Sequence, residues 1–344
     1  MQTEYSEKYL TGRSKILQKK VGINNKFDLV IFTVGWEERC IEILKYDTNE
    51  FQIDDVIILS FKLNGENKDF EEKYMHLLKK FLREKKIHES EPILINNLPG
   101  EWSPNSLYDT TIQIREKINQ IYKNKKKPLN IAVDLSNCPR RIFLYILGYC
   151  LKYDIAAKLS FFYSEAEYEL TRNNYEGDKG DWRLVTIPDF GGEFNPEYNE
   201  LFILSLGLDG PRYARLLTKE EPDNVGLLLP YPGVNEEYSN LILKQSNNLK
   251  EKFFIPNDNI IKTPVGDAIA VWKSLQDLVK KNPKYNITFL NFGPKPHVLG
   301  MGLYALLNEK IFMTYRIPKS GYNRVKAHPT GIFWQYDVEN LIYK

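Results

Sequence analysis

Four short stretches bring backbone donors and a cation together. They read TVGWEER at 33–39, DLSNCPRR at 134–141, SLGLDGPR at 205–212 and NFGPKPH at 291–297. Each follows an apolar run and precedes a segment of helical spacing, which makes it a strand-to-helix elbow. Small, turn-forming residues let the backbone approach a ligand, while the following helix offers unpaired N–H groups and partial positive charge. A neighbouring Arg or Lys adds a charge-assisted contact. The chemistry this favours is anion holding, of a phosphate above all. Two elbows share their wording, because Arg140 follows Pro139 as Lys295 follows Pro294, and proline prepares the entry to a helix.

The candidate ligand-binding residues are therefore Gly35, Trp36 and Arg39; Asp134, Ser136, Asn137 and Arg140; Gly207 and Arg212; and Asn291, Gly293, Lys295 and His297. Asp134 ends a strand, where an acid can take a ribose hydroxyl. His297 opens a helix, where it either meets a ligand or packs. Trp36, Tyr231, Trp182 and Trp334 are large enough to stack a base, although core packing is the commoner fate of such rings. For catalysis the candidates are Glu37, Glu38 and Asp209. Cys138 stands near Arg140 and Arg141 but has no histidine close by in sequence, which speaks against a nucleophile. Neither GxxxxGK[ST] nor GxGxxG occurs, so an ordinary ATPase or nicotinamide enzyme is not indicated, and no cofactor is expected.

These elbows belong to a chain written twice. DLVIFTVGWEERCIEILKY at 28–46 answers ELFILSLGLDGPRYARLLT at 200–218, with Gly35 on Gly207. DDVIILSF at 54–61 answers DNVGLLLP at 223–230, and NIAVDLSNCPR at 130–140 answers NITFLNFGPK at 286–295. Beyond the last elbow the shift stays at 152, placing Lys158 on Lys310, Tyr163 on Tyr315, Arg172 on Arg324 and Trp182 on Trp334. Continuous apolar runs such as LVIFTV, NIAVDL and ITFLNF read as strands buried on both faces of a parallel sheet. KLSFFYSEAEYEL and KIFMTYRIPKSGY alternate better and read as edge hairpin strands. The fold predicted is α/β, an internal duplication of two Rossmann-like lobes with mainly parallel sheets and edge hairpin strands. The lobes fall at 27–190 and 198–344, joined by the Gly- and Pro-rich 188–199, and residues 1–26 form an arm with no counterpart.

Composition narrows the partners. The chain has 344 residues, 42% of them apolar and 27% charged, as a globular protein does. Forty-seven Lys and Arg against 45 Asp and Glu give a net charge of +2, so no extended nucleic-acid surface is expected and any anion site is local. Three cysteines without a CxxC pair and four histidines predict neither disulfides nor a metal site, and favour a reducing compartment. No run of about 18 apolar residues and no leader-like start occur, which predicts a cytoplasmic protein with no membrane partner.

The doubled pattern of elbows resembles the CARF (CRISPR-associated Rossmann fold) and SAVED sensor domains. TVGWEER and SLGLDGPR are similar to that group's first-strand elbow, and DLSNCPR and NFGPK to its second, of which only the small-residue turn and the terminal Arg140 or Lys295 match. The resemblance implies a sensor of nucleotides, including cyclic oligonucleotides, in a prokaryotic antiviral system, signalling to a separate effector protein. Two further readings stay open on the residues themselves. One is an enzyme acting on nucleotides or nucleoside phosphates, such as a phosphodiesterase, nucleosidase or glycosyl transferase; the other is a non-catalytic scaffold subunit.

Overall fold

The computed structural model describes residues 5–11, 14–20, 26–45, 52–61, 66–87, 91–95, 104–168, 182–208, 210–318 and 327–339. The chain is α/β, with two mainly parallel sheets. The first contains β1 (Tyr5–Thr11), β2 (Ser14–Lys20), β3 (Lys26–Val34), β4 (Gln52–Phe61), β5 (Ile93–Ile95), β6 (Leu129–Asp134), β7 (Ala156–Tyr168) and β14 (Ala327–Glu339), in the order β1-β2-β14-β7-β6-β3-β4-β5. The second contains β8 (Trp182–Thr186), β9 (Asn199–Ser205), β10 (Asn224–Pro230), β11 (Ile260–Thr263), β12 (Tyr285–Asn291) and β13 (Ile311–Pro318), in the order β11-β10-β9-β12-β13-β8. Helices α1 (Glu66–Glu84), α2 (Pro104–Lys125) and α3 (Arg140–Lys152) connect strands of the first sheet. In the second the helices are α4 (Pro211–Glu220), α5 (Glu236–Phe253), α6 (Ala268–Lys281) and α7 (Lys295–Leu306).

The duplication is legible in the registers. Leu29 lies opposite Ile131 in the first sheet and Leu201 opposite Ile287 in the second. Val30 faces Val56 as Phe202 faces Val225, and Ile131 faces Leu159 as Ile287 faces Ile311. Residues that answer each other in the two halves thus take equivalent register positions, including those related by the shift of 152 between β7 and β13. Strands buried along most of their length explain the continuous apolar runs: β3 and β9 bury every residue from Asp28 to Val34 and from Leu201 to Ser205. α3 and α7 are buried on all sides, from Arg141 to Leu151 and from Pro296 to Leu306, and α7 shows no amphipathic stripe.

The structure departs from the expected lobes in four ways. β7 and β13 are interior strands, parallel to β6 and β12, and the edge beyond each is taken by an antiparallel strand from the other half of the sequence. β8, which follows β7 in the chain, pairs with β13; β14, which follows β13, pairs with β7. The compact units are consequently Met1–Glu169 with Lys319–Lys344, and Leu170–Pro318, rather than 27–190 and 198–344. Residues 1–26 are not a separate arm either, since β1 and β2 extend the first sheet from β14. Finally, the segment after Gly35 is a 3-10 run, Glu38–Lys45, where its counterpart is the α-helix α4. Five successive residues of that run, Arg39 to Ile43, are buried, and its β-branched and cysteine residues are weak helix formers.

Candidate functional site

At the carboxyl end of the second sheet the elbows after β9 and β12 lie against each other, as neighbouring strands require. A Cβ on Gly207 would stand 2.6 Å from the Phe292 carbonyl oxygen. One on Gly293 would stand 1.8 Å from Ser205 Oγ and 3.0 Å from the Leu206 oxygen. Both glycines are thus required by the packing of one elbow on the other, a reason nearer than the approach of a ligand. The Gly207 N–H donates to Tyr213 Oη at 2.6 Å, and the Tyr213 ring lies fully buried with its centroid 5.4 Å from that of Phe292. Asn291 donates to the Thr314 carbonyl at 2.7 Å, tying the end of β12 to β13.

His297 is buried one helical step inside α7. Its Nε2 lies 2.9 Å from the Pro264 carbonyl and 3.3 Å from Thr263 Oγ1, which assigns the proton to Nε2 and fastens α7 to the turn after β11. Burial pushes its pKa down to about 4 against the support of those hydrogen bonds, so the ring is neutral near pH 7. Of its two expected roles, the structure gives it packing.

In the first unit the elbow after β3 is held by charge. Arg39 is 4% exposed; its Nε donates to the Glu37 carboxylate and its Nη1 to the Ser164 carbonyl at 3.4 Å. The guanidinium carbon sits 5.8 Å from the Tyr163 ring centroid and 5.9 Å from that of Tyr168. Burial works against the cation, but Glu37 and the two tyrosines hold its pKa well above the ordinary value. Gly35 is tight against Asn137 Nδ2 and the Phe61 ring, at 3.0 and 3.1 Å from a Cβ placed there. Asn137 reaches the Glu37 carbonyl at 3.4 Å, and Trp36 packs on Phe61 with ring centroids 5.4 Å apart. Asp134 accepts from the Ser136 N–H at 2.8 Å, and Ser136 Oγ accepts from the Ser164 N–H at 3.0 Å. Cys138 is buried with Sγ 3.8 Å from the Pro139 carbonyl, and Cys40 is buried with its thiol pushed far up in pKa by that burial.

The sequence candidates divide accordingly. Arg39, Asp134, Ser136, Asn137, Asn291 and His297 are buried and make internal contacts. Arg140, Arg212 and Lys295 are half-buried, as are Trp36 and Glu37, while Glu38 is exposed and 3.2 Å from Lys45. Asp209 lies outside the described residues. Arg140 and Lys295 do occupy the same place. Each is the first residue of its helix, preceded by a proline at the N-cap, with φ −58° and ψ 137° at Pro139 and φ −62° and ψ 153° at Pro294. Neither helix has a side-chain cap or an acidic residue in its first turn, so the terminal N–H groups and a cation share each end. α4 likewise opens without a side-chain cap, with Pro211 and Arg212 as its first residues.

Sequence reasoning missed one repeated feature. Thr33 and Ser205, at equivalent positions near the ends of β3 and β9, are both fully buried hydroxyls that make no side-chain hydrogen bond. Their shared hydroxyl type was visible in TVG and SLG, but their burial beneath the elbows was not. Among the described residues no cluster of His, Cys, Asp and Glu is arranged to hold a metal ion, and no helix is long and apolar enough to cross a membrane.

No protein-family model matches this chain, and no curated protein matches it. Among solved structures, it is similar to a universal stress protein of Pseudomonas aeruginosa UCBPP-PA14, at 6% identity and a TM-score of 0.25, over 85% of this chain and 94% of that one. A protein of unknown function from Pseudomonas aeruginosa PAO1 gives 7% and 0.24 over 85% and 93%. The cytoplasmic domain of a prokaryotic cation chloride cotransporter gives 10% and 0.26 over 84% and 95%. Likenesses of this size carry no functional weight.

Proposed function

We propose that this chain binds a phosphate-bearing ligand of the nucleotide class at the elbows that open α3 and α7. The observation that supports the reading is the repeated helix entry: the same proline N-cap conformation, an uncapped first turn and a half-buried cation, Arg140 or Lys295, in both units. The helix dipole and a cation act together on an anion, and the arrangement occurs once in each unit. The resemblance to CARF and SAVED domains extends the proposal to a cyclic oligonucleotide and to a role as sensor, passing the bound state to a separate effector in antiviral defence.

The enzyme reading has less support, because Glu37 is committed to Arg39 and Glu38 faces Lys45, leaving neither carboxylate poised as a general base. A thermal-shift screen with linear and cyclic nucleotides tests the proposal, with chromatography of the ligand afterwards. At 100 times its Kd, a ligand should stabilise the chain by roughly 2.7 kcal/mol and be recovered intact. The Arg140→Glu/Lys295→Glu variant should lose that stabilisation. Equal stabilisation of the variant would remove the proposal, and rapid conversion of the nucleotide would replace it with the enzyme reading.

A further inference from the structure

The exchange of β8 and β14 changes what the two halves of the sequence are to each other. The linker at 188–199 separates the repeats as written, and a cut there would be expected to separate two lobes. Yet neither half contains a complete sheet. The half that ends near residue 190 carries β8, whose Trp182–Thr186 lie opposite Pro318–Thr314 of β13. The pairing continues beyond the strand, since the Ile187 N–H donates to the Met313 carbonyl and the Met313 N–H to the Phe190 carbonyl, both at 3.0 Å. The half that begins after the linker carries β14, which lies between β7 and β2 and pairs with both.

β14 is pinned there by a buried polar ladder. Asp337 accepts from Ser160 Oγ at 2.7 Å and from Gln335 Nε2 at 2.8 Å, with Lys158 Nζ 3.0 Å away. Tyr336 and Val338 of the same strand are fully buried in the first unit. Removing β14 would therefore strand Lys158 and Ser160 and uncover the edges of β7 and β2, and removing β8 would uncover β13.

We infer that the two sequence halves are reciprocal strand-exchange partners, and that this exchange, not the linker, makes the chain one molecule. Each half presents an open edge, β7 or β13, whose partner is the last strand of the other repeat. The recognition is backbone hydrogen bonding plus alternate side chains, the mode by which a strand adds to a sheet edge. The exchange does not keep the repeat's numbering. Tyr163 faces Trp334, but Tyr315 faces Val185 rather than Trp182, so each edge accepts its own register.

The test uses the full chain with a protease site inserted between Pro196 and Glu197, both exposed, together with Thr186→Cys and Thr314→Cys. These two positions face each other across β8 and β13, and antiparallel partners come within disulfide reach. The native cysteines Cys40, Cys138 and Cys150 are buried. After cleavage the two fragments should co-elute at the size of the intact chain, and oxidation should join them in one band on a non-reducing gel. Unlike the uncut chain, the cut protein should melt at a temperature that rises with its concentration. Fragments that elute apart would overturn the inference, as would co-eluting fragments that fail to cross-link. If the insertion disturbs folding, the same double substitution in the uninterrupted chain decides the pairing by peptide mapping, where absence of a disulfide joining positions 186 and 314 overturns it.

Discussion

The elbow after β3 and the elbow after β9 occupy the same place in two sheets of the same register, yet they are held by different physics. The first is locked by a buried ion pair, Arg39 with Glu37, wrapped by Tyr163 and Tyr168. The second is locked by backbone contact, with Gly207 against the Phe292 carbonyl and its N–H consumed by Tyr213. What the units do share lies one strand over, in the Pro-cation entries to α3 and α7. Topology sets where an elbow lies, while local side chains decide whether it is a lock or an opening.

The largest way to break this contrast is at Arg39. Arg39→Met leaves the Glu37 carboxylate without its partner, and loss of one member of a buried pair costs about 3–5 kcal/mol. Adding Glu37→Gln should recover much of that loss. Chemical denaturation of the two variants checks this, and equal stability of Arg39→Met and the parent would show that the ion pair holds nothing.

A smaller effect is confined to the second unit. His297 has a folded pKa of about 4, below the value near 6.5 of an unfolded histidine. Above pH 6.5 both states are neutral and the residue adds no pH dependence. Between about pH 6.5 and 4 the unfolded chain takes up a proton that the folded chain refuses, so stability falls as pH falls, by roughly 2–4 kcal/mol in all. His297→Gln should flatten that slope in melts followed across this window. Ile142 holds the matching place in α3 and cannot titrate, so the slope belongs to one unit alone.

The glycines sharpen the comparison further. Gly207→Ala forces a Cβ onto rigid backbone and should cost about 1–3 kcal/mol, with Gly293→Ala similar. Ser205→Ala should relieve only the latter, because its hydroxyl is what the Gly293 Cβ would meet first. Gly35→Ala meets side chains at 3.0–3.1 Å and should cost less than Gly207→Ala. Thermal melts of the four variants give the order, and a Gly35→Ala as damaging as Gly207→Ala would contradict it.

Much of this was legible in the sequence. The duplication, the strand cores and the equivalence of Arg140 and Lys295 follow from apolar runs and from elbows that share their wording, since a buried parallel strand and a proline-led helix entry leave local signatures. The exchange of β8 and β14 did not show, because strands that lie beside each other only after the chain crosses between units carry no local mark of their partner. β5 and β11 were missed as strands of three and four residues, too short for a pattern. Asn291, Asn137 and His297 looked like ligand residues because polar groups beside an elbow serve a ligand or the fold equally well. Only the Thr314, Glu37 and Pro264 carbonyls, distant in sequence, reveal that they serve the fold.

The smallest effect on stability and the largest on function belong to the shared entries. Arg140→Glu and Lys295→Glu, made separately at half-buried positions, should each move stability by about 0.5 kcal/mol or less. The deciding measurement is calorimetric titration of the parent and of each single variant with the nucleotide that gives the greatest thermal shift. Equivalent entries, one in each unit, predict that each variant weakens binding at its own entry at least tenfold, about 1.4 kcal/mol, with the fold unchanged. Binding that survives both substitutions at parental affinity would contradict the account.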